Sequence, residues 1–166
     1  MILSRRHILR TGGLALAGLS LPAWTAEGGI DIRMRGDAVG ADVWFDPVGF
    51  LVGPGATVRW RNDDAGNSHT TTAYHPDNRG HPLRIPEGAV PWNSDYLLPG
   101  ETFAVTFAKP GVYDYFCIPH EMAGMVGRIV VAEAGGAAPV AVDDGDAVHA
   151  FPPVADILHR GAVHRA

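Results

Sequence analysis

The residues with the clearest chemistry in this chain lie in one short segment, residues 115–127. Cys117 is the single cysteine of the sequence, His120 follows it by three positions, and Met125 follows His120 by five. A thiolate, an imidazole and a thioether together suit copper better than other common metals. Two histidines and one cysteine in a trigonal set, with a long, weak axial methionine, form a copper electron-transfer centre. The segment alone is one histidine short of that set.

The missing histidine is predicted upstream. His69 stands at the beginning of the β-branched run 70–72, which has the composition of a strand. An isolated histidine at the start of a strand is more often a surface residue than a ligand. The strand that follows His69, and its distance upstream of the cysteine, favour the ligand interpretation. The predicted metal ligands are therefore His69, Cys117, His120 and Met125.

This pattern resembles the copper-binding loop of the plastocyanin, pseudoazurin and amicyanin group of cupredoxins. The spacing Cys117-x₂-His120-x₄-Met125 is similar to that of plastocyanin and pseudoazurin. The resemblance covers residues 42–132 and is most specific over residues 112–131. It implies a cupredoxin-like sandwich with one type I copper ion that alternates between Cu(I) and Cu(II).

The resemblance also bears on two individual positions. It implies that Met125 is the axial ligand, because Met125 has the family's spacing and directly precedes the strand that leaves the loop, whereas Met122 lies in mid-loop. In the resembling families an asparagine often follows the upstream histidine, and its amide helps to fix the ligand loop. This chain has Thr70 at that position.

Composition and periodicity indicate an all-β fold independently of the loop. The 21 glycines and 13 prolines indicate many turns. Apolar and polar residues alternate in short runs separated by turn residues, as in half-buried strands. These runs are residues 30–34, 57–62 and 102–107, and two further predicted strands, residues 112–117 and 125–131, enter and leave the ligand loop. Such a succession predicts a Greek-key β-sandwich, which we expect to occupy residues 28–133.

The overall composition restricts the class of protein. With 166 residues, of which 46% are hydrophobic and 19% charged, the chain is expected to form one globular domain with extensions. Lys and Arg number 13 against 18 Asp and Glu, so no excess of basic residues favours nucleic-acid binding. One cysteine forms no internal disulfide, and in an exported protein it indicates a metal site or a reactive thiol.

The N-terminus has the pattern of an export signal. A basic start at residues 4–10 precedes the apolar run 11–23 and small residues near Ala26. The pair Arg5 and Arg6 resembles a twin-arginine signal, with an uncleaved amphipathic anchor as the alternative. Removal of residues 1–26 would take away three arginines and change the net charge from −5 to −8. We expect an acidic, periplasmic or otherwise extracytoplasmic protein without a membrane span in its mature form.

The loop after the upstream histidine is longer than the smallest cupredoxins require. Residues 73–87 have no period and many turn residues, and this insertion is expected near the metal end. His75 and His81 lack the spacing of a second metal site, so we interpret them as exposed or hydrogen-bonded loop residues.

The C-terminal segment, residues 134–166, is an extension beyond the sandwich. It begins with Ala, Gly and Pro, continues with acidic residues and contains a short helix candidate at residues 153–160. We expect a flexible or surface-docked tail. Its histidines are too scattered to predict a site; they are His149, His159 and His164.

Four donors from the protein leave no open position for a substrate, so the site is predicted not to be catalytic. We expect a monomeric electron shuttle with redox protein partners, such as a cytochrome, oxidase, reductase or dehydrogenase. The alternative is a periplasmic copper carrier or sensor, but Cys117 lies between apolar neighbours rather than in an exposed motif. A nitrite reductase or oxidase is disfavoured, because the chain lacks a second domain and their His-Cys-His cluster.

Overall fold

The structure, a computed structural model, describes residues 30–37, 39–133, 135–140 and 151–165. The predicted signal peptide lies outside the described residues. The strands in the described part of the chain are β1 (Ile30–Gly36), β2 (Val43–Asp46), β3 (Gly49–Val52), β4 (Ala56–Asn62), β5 (Thr72–Ala73), β6 (Thr102–Phe107), β7 (Gly111–Phe116), β8 (Val126–Val131) and β9 (Ala162–Val163). The helices there are a 3₁₀ helix (Ile118–Ala123) and α1 (Val154–Arg160). Neither helix has the length and apolar character needed to cross a membrane.

The strands form two sheets. The first has the order β2-β1-β4-β6 and the second has the order β5-β7-β8-β3-β9. Strands β1 and β4 run parallel, as do β3 and β8, and the other neighbours are antiparallel. The chain changes sheet at each of the five successive connections between β2 and β7. The predicted all-β Greek-key sandwich is therefore confirmed.

The first sheet has one face in the core and one in solvent, which explains why its strands alternate in sequence. In β4, Val58 and Trp60 are buried, whereas Arg59 and Arg61 are exposed. Arg59 donates two hydrogen bonds to the carboxylate of Asp31 on the neighbouring strand, at 2.7 and 2.8 Å. The polar residues of these strands thus form ion pairs on the outer surface.

Aromatic rings fill the space between the sheets. The ring of Trp60 meets that of Tyr115 edge to face with 5.4 Å between centroids, and Phe45 meets the same tyrosine at 4.7 Å. Tyr115 lies across from Gly127 in the register of β7 and β8. A Cβ atom at Gly127 would lie 2.3 Å from Cζ of Tyr115. Only glycine at this position lets the tyrosine ring cross β8 and reach the core.

The second sheet is buried on both faces near β7 and β8. Asp114 and Arg128 are cross-strand partners, and the Asp114 carboxylate accepts hydrogen bonds from Arg128 Nε at 2.7 Å and from Arg84 Nε at 3.0 Å. All three side chains are almost completely buried. Both guanidinium groups lie over the ring of Phe151, at 4.8 and 4.9 Å from its centroid. The sequence pattern did not predict this buried ion-pair network.

Residues 151–165 cover the outer face of the second sheet. Helix α1 appears where the sequence predicted a short helix, and its residue Ile157 is fully buried. A Cβ atom at Gly49 of β3 would lie 2.8 Å from the side chains of Ile157 and Pro152, so the segment packs directly on the backbone of β3. Strand β9 then adds to the edge of the same sheet, with Val163 opposite Gly49. This segment stabilises the sheet that carries the candidate ligand loop.

Candidate metal centre

Three of the four predicted ligands lie on the loop between β7 and β8. Cys117 follows the last residue of β7, His120 lies within the 3₁₀ helix, and Met125 directly precedes β8. The Cys117 N–H donates to the Met125 carbonyl at 3.0 Å, and the Met125 N–H donates to the His120 carbonyl at 3.1 Å. Gly124 ends the 3₁₀ helix in the left-handed conformation, with φ of 87°, which glycine adopts without strain. Backbone hydrogen bonds thus hold the loop closed.

The fourth predicted ligand enters from a different segment. His69 forms an isolated antiparallel bridge with Leu97, in which each backbone N–H donates to the other residue's carbonyl, at 3.1 and 2.8 Å. The regular strand begins later than the β-branched run predicted, because β5 comprises only Thr72–Ala73. It pairs with the end of β7, next to Cys117. This pairing brings His69 to the ligand loop.

The nitrogen and sulfur atoms of three residues face one another in a small triangle. His69 Nδ1 lies 3.1 Å from His120 Nδ1, and Cys117 Sγ lies 3.6 and 3.5 Å from these two nitrogens. The point equidistant from the three atoms lies about 2.0 Å from each, and bonds in zinc sites are ~2.0–2.1 Å to imidazole nitrogen and ~2.3 Å to thiolate sulfur. The donor set therefore fits one small metal ion, and a thiolate with two imidazoles is typical of copper.

The two methionines of the loop differ sharply in exposure. Met125 is completely buried, and its backbone is bonded to Cys117 and His120. Met122 is 79% exposed. Of the two thioethers on the loop, the one at position 125 is therefore the buried one.

Burial sets the protonation of the three triangle residues. It lowers the pKa of His69 and of His120 below the usual histidine value, so both imidazoles are neutral at pH 7 and offer a lone pair. Burial also raises the pKa of the Cys117 thiol to about 11, although hydrogen bonds from Thr70 and His120 oppose the rise. Because a bound metal ion deprotonates a coordinating thiol, metal binding at this site is expected to release a proton.

Thr70 connects the two segments that carry the triangle. Its backbone N–H donates to Cys117 Sγ at 3.3 Å, and its hydroxyl oxygen accepts the Ile118 N–H at 2.8 Å. The hydroxyl also lies 3.0 Å from that of Thr72. Thr70, which stands where the family often has asparagine, thus bonds both to the sulfur of Cys117 and to the backbone N–H of the next residue in the ligand loop. Sequence reasoning noted the replacement but did not find these contacts.

The inserted loop contacts the outer part of the ligand loop. The Tyr74 hydroxyl donates to Glu121 at 2.7 Å, and the His81 ring contacts the Phe116 ring at a tilt, with 4.5 Å between centroids. Nδ1 of His75 accepts the Asp77 N–H within its own turn. Neither histidine of the insertion belongs to the triangle.

The histidines of the C-terminal segment also lie apart from the triangle. His164 pairs with Asp46, His159 lies in the last turn of α1, and His149 is outside the described residues. Over residues 30–37, 39–133, 135–140 and 151–165, His69, Cys117 and His120 form the one cluster of His, Cys and acidic side chains able to hold a metal ion.

Thr70→Val should destabilise the fold, because it keeps the shape of the side chain but leaves the Ile118 N–H without its acceptor. We expect the free energy of unfolding to fall by about 1–3 kcal/mol in denaturant titrations. The metal spectrum should change little, because the backbone of residue 70 still donates to Cys117. Thr106→Val is the control, since the Thr106 hydroxyl pairs with Thr57 on the exposed face. Equal losses in the two variants would contradict the proposed role of Thr70.

Comparisons with known proteins agree with this geometry. The sequence profile of the family described as copper binding proteins, plastocyanin/azurin family, matches residues 32–132. A chloroplastic plastocyanin from Tetradesmus obliquus is 33% identical over 129 residues, 77% of this chain and 83% of the relative. The pseudoazurin of Methylorubrum extorquens strain AM1 is 29% identical over 131 residues, 77% of this chain and 78% of the relative.

A similar solved structure is that of native pseudoazurin from Hyphomicrobium denitrificans. Its TM-score is 0.49 at 23% identity, and the alignment covers 65% of this chain and 78% of that one. The family profile covers well over half of the chain and includes every residue of the triangle. The chain therefore belongs to the plastocyanin/azurin family of copper-binding proteins, and its cofactor is one type I copper ion.

Proposed function

We propose that the protein is a one-electron carrier that exchanges electrons with extracytoplasmic redox proteins. His69, Cys117 and His120 would hold the copper ion, and Met125 would supply the weak fourth donor. The observation that carries the proposal is the triangle of one sulfur and two nitrogen atoms, with sides of 3.1 to 3.6 Å. Copper supplies the Cu(II)/Cu(I) couple there.

The residues around the triangle suit electron transfer because they resist rearrangement. A thiolate and a thioether favour Cu(I), whereas imidazoles and a thiolate tolerate Cu(II). Cys117 is held by Thr70 and by the Met125 carbonyl, and His69 is paired with Leu97. Donors that keep their separation in both oxidation states reduce the structural change that accompanies each electron. Four protein donors also leave no position for a substrate, which disfavours catalysis.

The burial of the thiol favours a carrier of electrons over a carrier of copper. A protein that hands copper onward needs exposed, exchangeable soft ligands, and Cys117 is completely buried. For its location, we infer that residues 1–26 direct export by a twin-arginine-type route. The paired arginines and the apolar run support this inference.

Cys117→Ser tests the copper assignment directly. The wild-type protein should bind one copper ion and be intensely blue when oxidised, and the variant should lose the colour because the sulfur donor is gone. Visible spectra with copper quantitation measure the loss. Circular dichroism should show the β fold retained. A blue Cys117→Ser protein would disprove the site.

Met125→Leu should raise the reduction potential. A thioether favours Cu(I) relative to harder donors, but relative to no donor at all it stabilises the more highly charged Cu(II) more, so its loss destabilises Cu(II). Met122→Leu is the matched control on the same loop, and its potential should barely move because Met122 is exposed. Redox titration followed at the visible band measures both. The reverse order of effects would assign the axial position to Met122.

We further propose that partners dock on the surface beside His120. His120 is half-buried, and the exposed residues that flank it are apolar or small: Pro119, Met122 and Ala123. Two residues of the insertion, Tyr74 and His81, contact Glu121 and Phe116. Met122 nevertheless stays largely exposed. A small apolar contact allows brief docking. The negative net charge of the chain would attract basic partners over a long range, and salt would weaken this attraction.

Met122→Lys should slow bimolecular electron transfer without changing the copper spectrum, because a charge would enter the docking surface. Stopped-flow rates with several basic redox proteins measure the effect. Val90→Lys is the control, since Val90 is 84% exposed and follows a segment bonded to Lys109 at the opposite end of β7. Equal rates for the two variants would contradict docking at His120.

A further inference from the structure

A buried carboxylate lies directly behind one of the candidate ligands. Oδ2 of Asp64 lies 2.9 Å from Nε2 of His69, and both side chains are almost fully buried. The other ring nitrogen of His69, Nδ1, faces Cys117 and His120. Because an ionised carboxylate only accepts hydrogen bonds, this contact places the ring proton on Nε2 and leaves the lone pair on Nδ1.

Asp64 is itself held in one orientation by its neighbours. Its Oδ1 accepts the Gly66 N–H at 2.8 Å, its Oδ2 accepts Asn67 Nδ2 at 2.9 Å, and its own N–H donates to Asn62 Oδ1 at 2.9 Å. Three N–H groups, from Asn67, Gly66 and His69, thus surround its two oxygens. A side chain whose two oxygens both face N–H groups acts as an acceptor, as an ionised carboxylate does.

The backbone of β1 lies close against this carboxylate at Gly36. A Cβ atom at Gly36 would lie 2.1 Å from Asp64 Oδ2 and 2.6 Å from its Cγ. Gly36 is not one of the glycines with a positive φ. Packing against Asp64, rather than backbone conformation, therefore excludes a side chain there. The glycine and the carboxylate fit each other, and the carboxylate in turn fits the imidazole.

We propose that Asp64 is a positioning residue, which directs Nδ1 of His69 toward the copper ion and biases the bound copper toward Cu(II). The inference rests on the proposed function, since it assigns a role to Asp64 within that same copper site. A carboxylate that accepts the second N–H of a ligating histidine fixes its tautomer and raises its basicity.

The bias toward Cu(II) follows from the buried charges. Cu(II), the Cys117 thiolate and the Asp64 carboxylate sum to zero, whereas the same groups with Cu(I) sum to −1. A net charge in a buried site is costly, so the carboxylate favours the oxidised form and lowers the reduction potential. Without it, the same three metal donors would hold copper at a higher potential.

The first test compares Asp64→Asn with Asp63→Asn in the copper-loaded protein. Asp63 is adjacent in sequence but pairs with Arg33 and Arg61 near the surface. Asp64→Asn should weaken Cu(II) binding by ~10–100-fold and weaken Cu(I) binding less. A tenfold preferential loss of Cu(II) affinity raises the potential by about 59 mV for one electron. Asp63→Asn should change both quantities less than twofold. Equal potentials and affinities in the two variants would overturn the proposal.

The second test reads the His69 ring in the metal-free protein by ¹⁵N NMR, with the signals assigned from His69→Gln. The wild type should show the Nε2–H tautomer alone. Gly36→Ala should produce a mixture of tautomers, because the new methyl group displaces the carboxylate while Asp64 remains. Gly53→Ala is its control, since a Cβ atom at Gly53 has no neighbour within 4 Å. If Asp64→Asn does not fold, Gly36→Ala tests the same contact.

The two tests separate this inference from the proposed function. An Nδ1–H tautomer of His69 in the wild type would overturn the positioning role, whatever the copper chemistry. A protein that shows the Nε2–H tautomer but binds no copper would overturn the proposed function and the bias toward Cu(II), and would support positioning of the ring by Asp64. A blue protein whose potential is the same in both aspartate variants would overturn the inference alone.

Discussion

The hydrogen bonds of Thr70 are the constraint on which the metal centre depends. His69 and Cys117 belong to segments that are 48 positions apart. Thr70 joins these segments twice, through its N–H to the sulfur and through its hydroxyl to the Ile118 N–H. A shift of either segment would break both bonds and open the triangle. The separation of the donors is therefore set by the packing of the protein before any metal binds.

The two hydrogen bonds of Thr70 keep their geometry only if the second sheet is rigid. Strands β7 and β8 enter and leave the ligand loop, and their outer face is covered by residues 151–165. Asp114, Arg84 and Arg128 are satisfied inside that covered face by one another and by the ring of Phe151. A buried ionic group tolerates little displacement, because separation of the charges in an interior is costly. The C-terminal segment thus contributes to the rigidity of the loop without contacting the triangle.

The same arrangement explains how a buried site can still exchange electrons. Cys117, His69 and Met125 are completely buried, and His120 alone among the four candidate ligands is partly exposed. Asp64 lies on the far side of His69 from the triangle, so the charge that would tune the copper is shielded from solvent and from partners. The two proposals thus place tuning at His69 and docking at His120.

The sequence by itself determined those features of the fold and of the site that arise from residues close together in the chain. Period-two alternation located strands such as β4 and β6, and the spacing of Cys117, His120 and Met125 brought three candidate ligands into one loop, because chain connectivity alone keeps them close. His69 was predicted from the same chemical logic. Its strand proved shorter than expected, since its backbone pairs with Leu97 rather than with a continuous ladder.

Only the tertiary structure decided the contacts between distant segments. No local pattern predicted that Asp64, Asp114 and Arg128 are buried, and the pattern left open whether the C-terminal extension is flexible or docked on the surface. Each is buried because another segment covers it, and the identity of that segment depends on how the two sheets pack. A local pattern records which residues share a strand face, but whether that face meets water or protein is determined by the fold of the whole chain.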